Sequence, residues 1–412
     1  MNKEDLSIAI GLINDEIIEQ TENKRIVNKR YKVIRITRAC VAACLAIMIT
    51  ASAVHLYPKL RNNNTVVPQP KPDIDITPIS PEPKPDANDL PTLEISENFG
   101  DAGFEAYMAH DISELVNSNP WNSNSDIKTL PVYRNTLNLN ERYEITNIDK
   151  EKMNQLILDV AKRLGLKENE FEITTDPRIY KDDLFVKTKN FQIRVEPELT
   201  ATIEFEPVIH LPQKYNFSYF ANYEDTLASA KYLKNEYSDI INFKSPKINI
   251  TLGDYNIYNQ QHYAIEFFDE SGDITQDIIN YNFNKVTFYS LSEKESALSM
   301  IRIDKPDLSE KIGDYPIIAL EKAEELLENK NFISSVPSSY EMKAENVKKV
   351  ELIYRNVYWM DKIYLPYYKF YIELPELENR FGHGLKHYGI YYVPAIDGKY
   401  IKNMPIYDGK FN

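Results

Sequence analysis

Two histidines stand four residues apart, a spacing that lets two imidazoles bind one metal ion when both lie on a helix. His383 and His387 belong to the sequence FGHGLKHYG, whose glycines are typical of a hairpin connection. No HExxH motif and no third ligand accompany them. We therefore expect two exposed loop histidines and no metal site.

Asp269, Ser271 and Asp273 have the alternating spacing of the first ligands in a calcium-binding loop. Such a loop needs a glycine at the next position and a glutamate at its end. This chain has Ile274 and Asn280 there instead. The sequence therefore favours a hairpin turn at this point, and we predict neither a metal nor a cofactor.

The motifs of nucleotide-binding and hydrolytic enzymes are missing from the sequence. It contains no P-loop, no GxSxG and no GxGxxG. The two cysteines, Cys40 and Cys44, lie in an apolar segment where they read as small apolar residues. We predict no catalytic residues and a protein that is not an enzyme.

Tyrosine is in excess, with 29 Tyr against 17 Phe and 2 Trp. Tyr367, Tyr371 and Tyr391 fall on the face opposite the presumed core strip of their strands, so this face is a candidate surface for a protein or for the sugars of a wall glycan. Tyrosine also suits half-buried sheets, which is the alternative explanation.

The segment Ala39–Tyr57 contains no Asp, Glu, Lys or Arg, and its 19 residues match the ~30 Å core of a bilayer. Seven basic residues between Lys24 and Arg38 place the N-terminus in the cytoplasm. The sequence predicts a single transmembrane helix in the cell membrane with residues 58–412 outside. A signal peptide cleaved at Ala51–Ala53 and a buried core helix are the alternatives.

Residues 1–38 are predicted to be a cytoplasmic arm with a short amphipathic helix. Its apolar residues recur at helical spacing and comprise Leu6, Ile10, Ile13 and Ile17. A helix this short is marginal alone in water. Its apolar stripe is therefore predicted either to dock on a cytoplasmic or membrane protein or to lie on the membrane surface.

Residues 58–92 contain nine prolines and predict a disordered, extended stalk. The whole chain has a formal charge of −14. Because the arm contributes +2, residues 58–412 carry −16, which disfavours binding to nucleic acid. The absence of cysteine outside the apolar segment favours a Gram-positive cell surface over a disulfide-stapled secreted domain.

The region after the stalk predicts an α+β fold, in which a helical stripe followed by about three alternating strands occurs three times. We expect three extracellular antiparallel sheets, each covered by one helix. The predicted modules are residues 93–215, 216–306 and 307–412. Residues 96–147 read as irregular apart from one short helical pattern.

The third module carries a resemblance. It resembles the extracellular PepSY-type and YycH/YycI-type regions of Gram-positive membrane regulators. The matching parts are the predicted helix at Ile317–Asn329 and the two strands that carry LPYY from Leu365 and YVPA from Tyr392. The motif Ala9–Glu19 resembles the arm of clostridial single-pass proteins with an anti-sigma-factor-like layout. This arm lacks the Cys/His zinc site of one such group.

The resemblance implies a regulator that binds partners, such as a sigma factor or a histidine kinase, and not an enzyme. We therefore expect a membrane-anchored extracellular sensor or regulatory binding protein that signals through its arm. The alternative is a cell-surface adhesion or wall-binding module on a stalk, without a signalling role.

Overall fold

The computed structural model describes residues 90–96, 104–141, 144–176, 180–293, 295–337, 339–357, 361–378 and 382–408. All of them belong to the second of two compact units, residues 81–412. The predicted arm, the predicted membrane segment and the stalk up to residue 89 lie outside the described residues. Within the described ranges, no helix is long and apolar enough to cross a membrane.

The α-helices of the described region have these bounds: α1 Lys150–Arg163, α2 Tyr223–Glu236, α3 Ser238–Ile241, α4 Ile274–Phe283 and α5 Leu320–Glu328. Three of the helices begin at a side chain that accepts a hydrogen bond from the first turn, which satisfies an otherwise unpaired backbone N–H. These N-caps are Asp149 for α1, Asn222 for α2 and Asp273 for α4.

The strands have these bounds: β1 Ala106–Ala109, β2 Thr129–Arg134, β3 Thr174–Asp176, β4 Tyr180–Lys187, β5 Phe191–Glu196, β6 Thr200–His210, β7 Pro246–Tyr255, β8 Gln261–Asp269, β9 Lys285–Ser290, β10 Ala297–Asp304, β11 Lys311–Pro316, β12 Val347–Tyr354, β13 Ile363–Tyr364, β14 Pro366–Glu373 and β15 Lys386–Pro394. They form an eight-stranded sheet in the order β3-β4-β5-β6-β10-β9-β8-β7. A four-stranded sheet has the order β1-β15-β14-β12, and a three-stranded sheet has the order β11-β2-β13.

The eight-stranded sheet joins strands from two of the predicted modules. Strand β6 pairs antiparallel with β10, and Ile203 lies opposite Ile301 at this seam. The fold class predicted from the sequence, with a transmembrane helix and one helix-covered sheet per module, is therefore wrong. The described chain is built mainly from antiparallel sheets, and the largest of them draws on both halves of residues 93–306.

Two early strands pair with the C-terminal part of the chain. Strand β1 pairs with β15, and β2 lies between β11 and β13. The end of the predicted stalk is also packed, because Leu90 is buried and the carbonyl of Pro91 accepts a hydrogen bond from the Tyr315 hydroxyl at 2.8 Å. The prediction of an irregular segment over residues 96–147 misses both pairings.

Helix α4 occupies a segment whose alternating apolar residues, taken alone, predict a strand of the second module. Ile279, Tyr281 and Phe283 alternate as in a strand, but the Asp273 side chain accepts from the Gln276 N–H at 2.8 Å and starts a helix. The side chains of Ile278, Ile279 and Phe283 then share a buried face. Local capping and this helical spacing outweigh the alternation.

Three buried clusters hold these layers together. The first packs α1, α2 and α3 against one face of the eight-stranded sheet. The other two lie on the opposite faces of the four-stranded sheet: one includes α4 and α5, and the other includes residues 90–95 and 396–401. The face of the large sheet opposite α1, α2 and α3 points toward the C-terminal sheets, and Tyr281 of α4 packs against Phe268 on that face.

Candidate functional site

The face of the eight-stranded sheet opposite α1, α2 and α3 carries a row of polar residues. Six residues in register cross the sheet from β7 to β5 and comprise Asn249, Glu266, Thr287, Arg302, Thr202 and Arg194. Because strand side chains alternate between faces, their neighbours Ile265, Val286 and Ile301 point into the helix-covered core. One sheet therefore presents an apolar face and a polar face.

Hydrogen bonds fix the side chains of this polar face. Lys285 Nζ donates to Glu266 at 3.0 Å, and Arg302 Nε donates to Asp304 at 2.8 Å. The Asn249 amide also donates to Glu266, at 3.1 Å. These contacts hold charged groups of both signs in fixed positions on β8, β9 and β10.

The facing wall is built on β14 around Lys369. The Lys369 ammonium lies 5.1, 5.0 and 5.8 Å from the ring centroids of Tyr107, Tyr371 and Tyr392, and 3.4 Å from a carboxylate oxygen of Glu105. Aromatic faces attract a cation at such distances. The lysine is therefore held by an aromatic cage and an ion pair.

Glu351 on β12 continues this wall. It accepts hydrogen bonds from the Tyr371 hydroxyl at 3.1 Å and from the Asn117 amide, and it lies 2.7 Å from Lys349 Nζ. The segment that contains Asn117 also contacts the large sheet, since the Ser118 N–H donates to the Asn249 side chain at 2.7 Å. This segment therefore links the two walls.

A cavity of about 540 Å³ lies between the walls. Its lining includes Lys285, Thr287 and Arg302 from one sheet, Lys369 and Tyr371 from the other, and Tyr281 of α4. This volume falls within the range of small-molecule sites in proteins. We refer to it as the interlayer cleft.

A second cavity, of about 300 Å³, adjoins the interlayer cleft. The two share the lining residues Arg302, Asp304 and Asn356. The remaining lining of the second cavity includes Asp149, Glu198, Asp307, Glu310 and Lys152, from which it takes the name acidic cavity. The two cavities therefore meet at the Arg302–Asp304 ion pair.

Electrostatic interactions keep Lys285 and Glu351 ionised near neutral pH. Burial opposes the charge of Lys285, but Glu266 and Asp304 outweigh it and raise the pKa of the lysine. Burial likewise opposes the charge of Glu351, yet Lys349 and Lys369 lower its pKa below the ordinary value. Burial raises the pKa of Tyr371, which keeps its hydroxyl protonated.

The structure separates the three tyrosines predicted to form one binding face. All are buried, with exposed fractions of 2% for Tyr367, 5% for Tyr371 and 1% for Tyr391. Tyr367 and Tyr371 lie in one buried cluster and Tyr391 in the other, on the opposite side of the four-stranded sheet. Of the three, Tyr371 lines the interlayer cleft.

The histidine pair and the residues of the candidate calcium loop contribute to the fold and do not line the interlayer cleft. His387 is buried in β15 opposite Met108, so the expectation of an exposed loop histidine is wrong for it. The predicted hairpin turn at Asp269, Ser271 and Asp273 is wrong, because these residues join β8 to the start of α4. The Ser271 N–H donates to Asp277 of this helix at 2.6 Å. The arm residues Leu6, Ile10, Ile13 and Ile17 lie outside the described residues, so their docking stays a prediction.

The sequence analysis missed most of the cleft residues. The polar side of β6, with Thr200 and Thr202, is visible as alternation, and Lys285, Arg302 and Lys369 occupy the equivalent polar positions of their own strands. Alternation identifies such positions, but it cannot show that two distant sheets bring them together.

Comparison with known proteins does not assign the chain to a family. No protein-family model matches the chain, and no curated protein matches it. Among solved structures, the chain is similar to an uncharacterised protein from Eubacterium rectale ATCC 33656, with a TM-score of 0.31 and 13% sequence identity. That match covers 66% of this chain and 85% of the other, and a TM-score this low supports no conclusion about fold or function.

Proposed function

We propose that this protein is a sensor or regulatory binding protein and that it recognises a polar ligand in the interlayer cleft. The observation that carries the proposal is the cleft itself: a cavity of about 540 Å³ between two sheets, lined by fixed charges and tyrosines. Ligand sites combine such a volume with a few well-oriented polar groups.

The ionisation of the cleft favours binding over acid–base catalysis. A general acid or base works best when its pKa lies near the working pH. The pKa values of Lys285 and Lys369 are raised and that of Glu351 is lowered, so all three move away from neutrality. Groups whose charge does not change near neutral pH are suited to binding a ligand and not to transferring protons.

Preorganisation gives a second reason. Lys285, Arg302 and Glu351 already have hydrogen-bonded partners, which fix their positions before a ligand arrives. A preformed site loses little conformational entropy on binding. The proposed signalling through residues 1–38 stays a prediction from the sequence.

The experiment measures binding of a defined panel to the full chain by saturation-transfer NMR. The panel contains the common amino acids, Lys-Ala-Ala-Ala and other tetrapeptides, and N-acetylglucosamine oligomers. The cleft-blocking variant is Asn356→Trp, because Asn356 is exposed and lines both cavities. The control is Asn124→Trp, which makes the same change at an exposed turn residue outside either lining.

We expect at least one panel member to bind the wild type and Asn124→Trp equally, and to bind Asn356→Trp at least tenfold more weakly. Bound ligand should also raise the unfolding free energy, by about 2.7 kcal/mol at 100 times Kd. A panel in which nothing binds, or in which Asn356→Trp binds as well as wild type, would show that the cleft is not a ligand site.

A further inference from the structure

The charged residues that line the interlayer cleft are already paired with charges of opposite sign. Lys285 lies 3.0 Å from Glu266, and Arg302 lies 2.8 Å from Asp304, so these lining residues neutralise each other. The other lining charges have partners just outside the lining, in the pairs Glu351–Lys349, Arg355–Asp361 and Lys369–Glu105. A charged ligand would therefore lose its hydration here without finding a described lining charge that lacks a partner.

Three hydroxyl groups of the lining, in contrast, have no hydrogen-bond partner in the described part of the chain. They belong to Thr287 and Tyr289 of β9 and to Tyr281 of α4. Thr287 is 4% exposed, and buried polar groups of folded proteins are nearly always hydrogen-bonded. Tyr371 of the same lining follows this rule, since its hydroxyl donates to Glu351. The three unpaired hydroxyls are therefore available to the contents of the cleft.

The unpaired hydroxyls approach the cleft from two directions. On β9, Thr287 lies between Glu266 of β8 and Arg302 of β10 in the register of the sheet. Tyr289 follows two positions later and therefore points to the same face. Tyr281 reaches the cleft from α4 instead. A ligand that satisfies all three hydroxyls needs hydrogen-bonding groups on more than one side.

Tyr281 lies between the two walls of the cleft. Its pKa is raised first by burial, and then by Glu351 of one wall and Glu266 of the other. Burial likewise raises the pKa of Tyr289. Both hydroxyls therefore stay protonated at neutral pH, and each can donate one hydrogen bond and accept another.

Arg302 adds hydrogen-bond donors beside Thr287. Its Nε donates to Asp304 at 2.8 Å, and its remaining guanidinium N–H groups make no hydrogen bond with the described residues. The ion pair thus neutralises the charge of Arg302 and leaves donors that suit a neutral acceptor. Free donors and free hydroxyls are neighbours on one face of the sheet.

We infer that the ligand of the interlayer cleft is a neutral oligosaccharide, whose hydroxyl groups bind those of Thr287, Tyr281 and Tyr289. This inference rests on the proposed function. A sugar hydroxyl donates and accepts like the hydroxyls that it would meet, whereas a carboxylate only accepts and an ammonium only donates. The C–H faces of sugar rings also pack on tyrosine rings, which present an apolar body beside a polar tip. An oligosaccharide carries hydroxyls on every ring and can therefore meet groups on several sides.

The experiment uses calorimetry on the full chain with three neutral probes: triacetylchitotriose, cellotriose and maltotriose. We expect at least one of them to bind with the same Kd at low and at physiological salt, because salt screens interactions between charges. The amino acids and tetrapeptides of the panel carry charged ends and should bind about tenfold more weakly or worse. A charged panel member that binds more tightly than every sugar, or a sugar whose Kd rises with salt, would overturn the inference.

Protein variants remove the hydroxyls and keep the rest of each side chain. They are Thr287→Val and Tyr281→Phe/Tyr289→Phe, and the control is Tyr223→Phe/Tyr258→Phe at two exposed tyrosines outside both linings. We expect each cleft variant to weaken the bound sugar about tenfold, because the site loses hydrogen bonds to ligand hydroxyls. The control should bind the sugar as wild type does.

The unfolding free energy separates an effect on binding from an effect on folding. Because the three hydroxyls have no hydrogen-bond partner among the described residues, the cleft variants should be at least as stable as wild type. Cleft variants that bind the sugar as tightly as the control would contradict the inference. If no sugar binds while an amino acid or peptide binds in a manner sensitive to Asn356→Trp, the inference fails and the proposed function stands. If nothing binds, both fail.

Discussion

At the scale of single residues, burial and charge pairing decide the role of the tyrosines and lysines. Lys369 sits on a strand position that local alternation marks as exposed, yet its side chain is 12% exposed and surrounded by three tyrosine rings. Tyr371 donates its hydroxyl to Glu351 instead of offering it to solvent. These contacts form the wall of the interlayer cleft that is built on β14 and β12.

Glu351 gives a pH-dependent prediction. Its pKa is lowered in the folded protein, so the carboxylate contributes stability above the ordinary pKa of about 4.5. That contribution is lost as the pH falls through the folded-state pKa. Glu351→Gln should be less stable than wild type by about 2 kcal/mol at pH 7, because its ionic partners lose their counter-charge.

The measurement is urea unfolding of both proteins from pH 7 to pH 3. The difference in unfolding free energy should shrink as the pH falls below about 4.5. Glu341→Gln, at a side chain that is 72% exposed, is the control and should match wild type throughout. A difference that stays constant across this range would show that Glu351 does not act through its charge.

At the scale of elements, local patterns predicted most helices, and long-range pairing decided the sheets. The stripe of Met153, Leu156, Ile157 and Val160 lies on α1 and is buried, as its spacing indicates. The pairing of β6 with β10 joins residues about a hundred positions apart, and no local signal specifies it. The same reason explains why the partners of β1 and β2 were missed.

The α4 segment shows a different kind of error. Period two and period 3.6 both fit its few apolar residues, so alternation alone could not choose between strand and helix. The segment is a helix because Asp273 caps its N-terminus, and the buried Asp277 accepts a hydrogen bond from Ser271 at the same end. A capping search before the strand assignment could have found it.

The shared sheet predicts that residues 216–306 do not fold alone. Without β6, strand β10 keeps β9 but loses its other neighbour, and Ile301, which is fully buried in the complete chain, becomes a residue of an edge strand. Exposing one such side chain costs about 1.5–3 kcal/mol. The fragment should give a poorly dispersed amide NMR spectrum, whereas residues 90–408 should give a dispersed one; dispersion in both would contradict the shared core.

At the scale of the whole molecule, the described chain is an arrangement of layers. Helices cover one face of the large sheet, and the C-terminal sheets face the other across a polar gap. Apolar layers pack without specificity for a ligand, but a gap lined by paired charges can distinguish ligands by the position of their own charges. Composition and overall charge alone did not reveal this gap.

The central claim is that a ligand binds between the two walls, and a crystal structure of the full chain with the tightest-binding panel member tests it most directly. The account predicts electron density for the ligand in contact with Arg302 of β10 and with Lys369 or Tyr371 of β14. Density on the helix-covered side of the eight-stranded sheet, with an empty cleft, would contradict the account.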